Sequence, residues 1–249
     1  MEFIAALAAS SMSNHISNIL KQAITTFTCK PEWFTINLHS LISSMDKTTA
    51  EDVNFPTQFT SDRLWKQPGK APVTCIEIYE DLNVSISIFI LKPGGRLPLH
   101  NHPEMYGLIK VITGKVKITS YSINTERTME VDRRSFKGET VPPFSYHRKQ
   151  IVTAELSSSE IVDTGSNTCV LEPNRNNLHE IESVDGPAAF LDVLAPPYGT
   201  LIPNNGPRLC SYYSILSQVS SSIFRLQETK SPSWYWTDAF PYTGPELVV

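Results

Sequence analysis

Three histidines offer the clearest chemistry in this sequence, because their spacing could bring three imidazoles to one metal ion. His100 and His102 are separated by one residue in a stretch that is typical of a β-strand, where alternate residues point to the same face. His179 lies far along the chain, at the start of another predicted strand. Three imidazoles would cap one face of an octahedral ion and leave the other positions open to small molecules. This layout suits redox chemistry on iron better than a closed structural site.

Other interpretations of these histidines stay open at this point. His147 follows a Pro-Pro pair in a polar stretch and could supply the third imidazole in place of His179. We favour His179 because residues 176–181 lead into a strand. The pair His100 and His102 could also belong to a surface turn that binds nothing. Hydrolysis on zinc is compatible with three histidines, but the sequence has no well-placed general base for it.

The residues around the histidine pair follow the spacing of the first cupin motif. Gly94, five residues, His100 and His102 fit its opening, and Gly114 stands where its closing glycine is expected. Gly107 occupies the position at which that motif usually has a glutamate. Without that carboxylate the ligand set is neutral, so Fe(II) would keep its full positive charge. Such an ion can attract a substrate thiolate, lower the pKa of the thiol and bind O2 beside it.

The elements that must position these histidines are mostly predicted strands. Alternating apolar residues predict strands over residues 108–112 and 116–121, and residues 113–115 between them are typical of a hairpin turn. Residues 122–160 are polar and charged, and they predict a surface insertion or a long hairpin. The fold class is therefore all-β, either a β-barrel or a double-sheet jelly roll. A closed sheet of this kind leaves an interior that can hold a metal and a small ligand.

Helical periodicity is confined to the beginning of the chain. Apolar residues recur at helical spacing up to about residue 45. We therefore predict an N-terminal helical segment, residues 1–45, that packs on the barrel, and a barrel unit of residues 46–249. The two together are expected to form a single domain.

Composition limits the classes of partner. The chain has 249 residues, a formal net charge of −4 and no basic tract, so neither nucleic acid nor an anionic membrane is an expected partner. No apolar run is long enough to span a bilayer. The apolar N-terminus is read as the start of a helix, because it lacks the basic region of a signal peptide. Four widely spaced cysteines favour a reduced, cytoplasmic protein.

Five stretches of the sequence match one known family: Pro-Leu-His-Asn-His-Pro at 98–103, Gly-Leu-Ile-Lys-Val at 107–111, Asn-Leu-His-Glu-Ile at 177–181, and the two most specific, residues 186–198 and residues 210–213. Through these stretches the chain strongly resembles the thiol dioxygenases that comprise 2-aminoethanethiol (cysteamine) dioxygenase and the plant cysteine oxidases. The resemblance runs from about residue 24 to residue 245 and is weakest across residues 122–160.

This resemblance implies a fold, a cofactor and an activity. The barrel would be a cupin-type double-stranded β-helix carrying one non-haem Fe(II) on His100, His102 and His179. The family uses O2 to convert a thiol to a sulfinic acid. Its substrates are cysteamine, which gives hypotaurine, and the N-terminal cysteine of proteins, whose oxidation marks the protein for degradation and makes the enzyme an oxygen sensor. The family also favours a monomer.

The resemblance further implies roles for four residues around the metal. Asp192 would face the substrate ammonium or orient a ligand histidine, and its alternative is a strand-end carboxylate satisfied by the backbone. Tyr198 would donate a hydrogen bond to iron-bound oxygen or close the barrel mouth. Cys210 and Tyr212 would share one face of a strand and could form a thioether. The alternative for this pair is a buried free thiol beside an aromatic ring.

Two rival functions remain at the level of the sequence. One is a non-catalytic cupin that binds a small ligand or a partner protein. The other is a zinc or manganese cupin with isomerase or hydrolase activity. Metal analysis of protein purified without air separates both rivals from an iron dioxygenase.

Overall fold

A computed structural model describes residues 14–125, residue 128 and residues 150–248. The helices come first: α1 (His15–Thr28), α2 (Pro31–Met45) and the short α3 (Asp62–Trp65), with 3-10 turns at Glu51–Val53 and Thr57–Thr60. The strands follow: β1 (Val73–Glu80), β2 (Ser85–Leu91), β3 (Arg96–Asn101), β4 (Tyr106–Ile123), β5 (Ile151–Asp163), β6 (Cys169–Leu171), β7 (Leu178–Ala195), β8 (Leu201–Ile202), β9 (Gly206–Pro207), β10 (Tyr212–Gln218), β11 (Ile223–Thr229) and β12 (Thr237–Ala239).

Six of these strands close into a barrel. The order around the ring is β7, β3, β10, β11, β5 and β4, and β4 then returns to pair with β7. Every pairing in the ring is antiparallel. Strands β2, β1 and β12 extend the sheet from β7, while β6 pairs with β4. The ring therefore encloses an interior without a free edge, and the predicted all-β, cupin-type barrel is confirmed.

The long strand β4 corrects the predicted hairpin at residues 113–115. β4 pairs with β7 from Tyr106 to Tyr121, and the pairing continues through a bulge at Gly114. Gly114 has a φ of +69°, and a side chain there would collide with the backbone of Pro187 in β7. Glycine is needed at this point because the backbone must take a left-handed conformation next to another strand. The turn-like residues 113–115 therefore form a β-bulge within one continuous strand.

Strand β5 corrects the end of the predicted insertion. Residues 151–160 lie in a ring strand that pairs with both β4 and β11. Its outward face carries serines, and hydroxyl pairs link it to β4: Ser159 to Thr119 at 3.0 Å and Ser157 to Ser122 at 2.8 Å. These serines made the stretch too polar to predict a strand from apolar alternation. His147, the alternative third ligand, lies outside the described residues.

Helices α1 and α2 share a core with the outer face of the sheet. α1 begins after Asn14, whose side-chain oxygen accepts a hydrogen bond from the Ser17 backbone at 2.9 Å. Helices are confirmed for residues 15–45, whereas the division of the chain at residue 45 stays a prediction. Among the described residues, no helix has the length and apolarity to cross a membrane. The buried apolar residues of the two helices are Ile16, Ile19, Leu20, Ala23, Leu41 and Met45.

Side chains of β7 alternate between this outer core and the barrel interior. Ala189 and Leu191 belong to the core shared with the helices, whereas Ala188 and Phe190 belong to the interior core. Asp192 continues the inward set, since alternate residues of a strand share a face. The barrel interior is thus apolar around Phe190 and becomes polar towards Asp192.

Candidate active site

The three histidines come together because neighbouring strands present them at the same level of the barrel. His100 lies in β3 directly opposite His179 of β7. His102 follows the end of β3, and its backbone N–H donates to the Asn177 carbonyl at 2.9 Å. His100 and His179 are far apart in the sequence, and one antiparallel strand pairing brings them together. All three side chains are buried.

The three rings form a compact and nearly symmetrical cluster. The Nε2 atom of His102 lies 3.1 Å from Nε2 of His100 and 3.0 Å from Nε2 of His179. The ring centroids are 4.7 to 4.8 Å apart in all three pairs. The imidazoles therefore converge on one point through their Nε2 atoms.

The outer nitrogens of two histidines are held by other groups, and this sets their tautomers. Nδ1 of His100 lies 2.8 Å from the Pro98 carbonyl, which can only accept a hydrogen bond. The Tyr198 hydroxyl donates to the Asn101 carbonyl at 2.6 Å, so its lone pair accepts from Nδ1 of His102 at 3.0 Å. Both Nδ1 atoms then carry the proton. The Nε2 atoms are left with lone pairs directed at the centre of the cluster.

Burial keeps these imidazoles neutral. It lowers the pKa of His100 to about 4, against the partly opposing hydrogen bond to Pro98. Burial also holds the pKa values of His102 and His179 well below the usual value, and the neighbouring histidines lower them further. Near neutral pH the cluster is therefore a set of uncharged nitrogen donors.

These donors fit a bound metal ion. Lone pairs that face each other at 3.0 to 3.1 Å repel unless a cation lies between them. Metal–nitrogen bonds of about 2.1 Å separate two donors by about 3.0 Å at right angles and by about 3.4 Å at the tetrahedral angle. The two Nε2–Nε2 distances of 3.0 and 3.1 Å are thus short enough for these nitrogens to share one ion. Among the described residues, only these histidines form a cluster with metal-binding spacing.

The structure explains why no carboxylate joins the cluster. Gly107 takes the place of the usual cupin glutamate, and a Cβ atom there would lie 3.2 Å from a methyl group of Leu194. That approach is tighter than ordinary van der Waals contact. A longer side chain at position 107 would meet apolar packing before it could reach the histidines.

Asp192 is a buried carboxylate without a full set of partners. Only 7% of the residue is exposed, and among the described residues its Oδ1 atom has no hydrogen-bond partner. The alternative of a carboxylate satisfied by the backbone does not describe this atom. Burial raises the pKa of Asp192 to about 7. The charge of Asp192 also helps to raise the pKa of the Tyr198 hydroxyl, after burial and Cys210.

Tyr198 holds His102 in place. Its proton goes to the Asn101 carbonyl and its lone pair to His102, so in this structure the hydroxyl does not point its proton at an open metal position. Burial raises the pKa of Tyr198 well above 10, and nearby Cys210 raises it further. The hydroxyl therefore stays protonated and keeps this bridging position.

Cys210 and Tyr212 line the same wall. Tyr212 lies opposite His100 in the pairing of β10 with β3. Burial raises the pKa of the Cys210 thiol, while its hydrogen bonds with Tyr198 and Tyr212 oppose that change. Cys210 is thus a protonated thiol close to both phenols, and all four cysteines of the chain are free.

Two further residues of this neighbourhood, Cys75 and Tyr235, were not predicted from the sequence. Burial raises the pKa of the Cys75 thiol in β1. A hydrogen bond with Ser87 opposes this change, and the charge of Asp192 adds to it. The ring of Tyr235 lies 5.9 Å from that of Tyr212. Alternation along β1 could have placed Cys75 on the interior face, but nothing in the sequence showed that the C-terminal segment returns to this neighbourhood.

Comparison with known proteins places the chain in a family. The family model described as PCO_ADO matches residues 44–247. 2-Aminoethanethiol dioxygenase of Homo sapiens is 36% identical over 228 residues, which cover 86% of this chain and 82% of that protein. Its Mus musculus counterpart is 34% identical over 260 residues, covering 96% and 98%. Plant cysteine oxidase 2 of Arabidopsis thaliana is 29% identical over 179 residues, covering 71% and 56%. The chain therefore belongs to the PCO_ADO family and is a thiol dioxygenase.

Proposed function

We propose that this enzyme uses Fe(II) to add both atoms of O2 to the sulfur of an aminothiol. The substrate is cysteamine, which gives hypotaurine, or the N-terminal cysteine of a protein, which gives cysteine sulfinic acid. The balanced reaction, R–SH + O2 → R–SO2H, needs no external reductant. Similar proteins carry names that correspond to each substrate class. Oxidation of protein N-termini would make the enzyme an oxygen sensor.

The convergence of three neutral imidazoles carries this proposal. His100, His102 and His179 would hold the metal, and among the described residues no carboxylate belongs to this cluster. Fe(II) would supply coordination positions for thiolate and O2 and the redox capacity to activate O2. A neutral ligand set leaves that positive charge available to stabilise an anionic thiolate.

Asp192 supplies the counter-charge for the amino group of the substrate. Both candidate substrates carry an ammonium near the thiol. The unpartnered Oδ1 atom gains the hydrogen bond that it lacks when an ammonium binds. The cation also favours the ionised carboxylate, because an opposite charge lowers a carboxyl pKa. Asp192 thus selects aminothiols over neutral thiols.

Tyr198 and the surrounding burial keep the site ordered. The Tyr198 hydroxyl fixes both the tautomer and the orientation of His102. The apolar interior around Phe190 excludes water from one side. Cys210 and Tyr212 form the wall beside His100, and a thioether between them stays a prediction that a mass loss of two hydrogens would reveal.

The test is oxidation of two thiols by iron-loaded protein in air. Cysteamine and a peptide that begins with cysteine are each followed by mass spectrometry, with His100→Ala and an oxygen-free sample as controls. We expect a gain of two oxygen atoms, both from labelled O2, on at least one thiol. Metal analysis accompanies the assay. Zinc or manganese in the anaerobically purified protein, without thiol oxidation, would support the rival cupin functions instead.

We also propose that the enzyme is a cytoplasmic monomer that binds neither nucleic acid nor membranes. Free thiols at all four cysteines support a reducing compartment. Size-exclusion chromatography with light scattering tests the monomer, and a dimer mass would contradict it. Fractionation of cells tests the location.

A further inference from the structure

Asn101 stands between two histidines of the cluster and bonds to two other segments of the chain. It is the last residue of β3, and its neighbours in the sequence are His100 and His102. Its backbone N–H donates to the Ser211 carbonyl at 3.1 Å. Its backbone carbonyl accepts from the Tyr198 hydroxyl at 2.6 Å, and its side-chain Oδ1 accepts from the Ser211 N–H at 2.8 Å. One residue therefore connects β3 to the residue before β10 and to the loop that carries Tyr198.

The bonds between Asn101 and Ser211 depart from ordinary strand pairing. In an antiparallel sheet, the two residues of a hydrogen-bonded pair exchange two bonds through their backbone N–H and C=O groups. His100 lies opposite Tyr212, and the same register places Asn101 opposite Ser211. The Asn101 N–H makes the first bond of this pair, but the return bond from Ser211 ends on the Asn101 side chain. The amide oxygen thus takes the place that the backbone carbonyl has in an ordinary pair.

This exchange leaves the Asn101 carbonyl to Tyr198. A phenol has one proton, and the bond to this carbonyl uses it. The lone pair of the Tyr198 oxygen then faces Nδ1 of His102 at 3.0 Å, so Nδ1 must carry the proton of that imidazole. Without the bond to the carbonyl, the Tyr198 proton would be free to turn towards Nδ1. His102 would then be protonated on Nε2, the nitrogen that faces the cluster.

We propose that the side chain of Asn101 is a positioning group that sets the tautomer of His102 through Tyr198. By completing the pairing with Ser211, the amide oxygen keeps the backbone carbonyl available to the Tyr198 hydroxyl. Tyr198 in turn keeps the Nε2 lone pair of His102 directed at the metal position. The inference rests on the proposed function only in that this nitrogen is taken to bind the metal. The role requires an acceptor oxygen at the end of the side chain, which aspartate keeps and which valine and alanine lack.

The test measures metal affinity and the His102 tautomer in Asn101→Val, Asn101→Ala and Asn101→Asp. Affinity for Fe(II) is measured by competition titration without air. The tautomer is read from the nitrogen chemical shifts of isotope-labelled imidazoles in metal-free protein, with His102→Gln to assign the signal. Valine suits a strand, and thermal unfolding checks that each variant is folded. Ser183→Ala is the matched control, because it removes a bond to the Lys92 carbonyl at 2.7 Å, close to the other end of β3.

We expect Asn101→Val and Asn101→Ala to bind Fe(II) about tenfold more weakly, as when a group that orients a metal ligand is lost. Part of the His102 signal should move to the tautomer that is protonated on Nε2. Asn101→Asp should rescue both readouts and bind Fe(II) within about twofold of the wild type, because the acceptor oxygen is kept. Ser183→Ala should lower the thermal stability and change neither readout.

Tyr198→Phe supplies a second measurement, because both residues act on the same hydrogen bond of His102. Adding Asn101→Val to Tyr198→Phe should weaken Fe(II) binding by less than about twofold more, since members of one hydrogen-bond network are not additive. Full multiplication of the two losses would overturn the inference. An unchanged affinity and tautomer in folded Asn101→Val would also overturn it and leave Asn101 as a link between strands. If the wild type oxidised no thiol, the proposed function would be rejected, while the affinity and the tautomer would still decide the role of Asn101.

Discussion

Replacement of Asp192 by asparagine should change how the stability of the metal-free protein depends on pH. Burial raises the pKa of this carboxyl from 3.8 to about 7 in the folded protein. Between these values the unfolded chain has released the proton and the folded chain has not, so the free energy of unfolding falls as pH rises. Each tenfold difference in acidity is worth about 1.4 kcal/mol, which gives a total fall of about 4 kcal/mol from pH 4 to above pH 7. Above pH 7 both states are ionised and the loss stays constant.

Urea denaturation of chelator-treated protein at pH values of about 4, 5.5, 7 and 8 measures this contribution. The quantity of interest is the stability of Asp192→Asn minus that of the wild type, in which the other titrating groups cancel. We expect this difference to rise by about 4 kcal/mol over the range. Asp185→Asn is the matched control, since Asp185 is largely exposed and forms only a surface ion pair. A flat difference for Asp192→Asn would refute the buried, unpaired carboxyl.

Other substitutions test the histidine site and the packing around it. Tyr198→Phe removes the acceptor that holds Nδ1 of His102, and it should weaken metal binding by about tenfold to a hundredfold in a competition titration. Gly107→Glu should lower the free energy of unfolding by about 1 to 3 kcal/mol, because the new side chain collides with Leu194. Its metal content should not rise. Lys110→Met removes the hydrogen bonds that Nζ donates to the Thr164 carbonyl at 2.9 Å and the Ser166 carbonyl at 2.6 Å. This change should lower the free energy of unfolding in denaturant by about 1 to 3 kcal/mol.

Controls for these substitutions lie elsewhere in the chain. Tyr79→Phe removes a hydroxyl that bonds only to Asp81, so metal affinity should not change. Gly165→Ala adds a methyl group where there is room for it. Lys115→Met removes an exposed lysine whose ion pair is 4.0 Å long. Metal binding by Tyr198→Phe equal to the wild type would show that His102 needs no support. Unchanged stability of Gly107→Glu or Lys110→Met would contradict the packing described here.

The histidine cluster could be predicted because its information is local. The i, i+2 spacing of His100 and His102 places both on one strand face, and the next histidine that enters a strand completes the set. The all-β fold followed from alternation in the same way. The hairpin at Gly114 was predicted wrongly, because a glycine in the left-handed region serves both turns and bulges. Only the partner strand decides between them.

Non-local contacts account for what the sequence did not reveal. Tyr198 was expected to donate to iron-bound oxygen or to close the barrel mouth, and nothing in the sequence showed that its hydroxyl donates to the Asn101 carbonyl of β3. Cys75 of the first strand and Tyr235 near the C-terminus lie close enough for the Cys75 charge to raise the pKa of Tyr235. Such encounters depend on register and closure, which alternation does not determine.

Strand β7 carries both His179, the proposed metal ligand, and Asp192, the proposed partner of the substrate ammonium, one on each side of its irregular middle at Asp185. The length of this strand therefore fixes the distance between the two proposed binding points. A one-residue insertion between the two would turn one of them outward, because strand faces alternate. Evolution can lengthen the loops of this barrel freely, whereas changes in this strand must come as substitutions. Relatives that accept longer or shorter aminothiols should differ in the residues lining the barrel interior and keep the length of this strand.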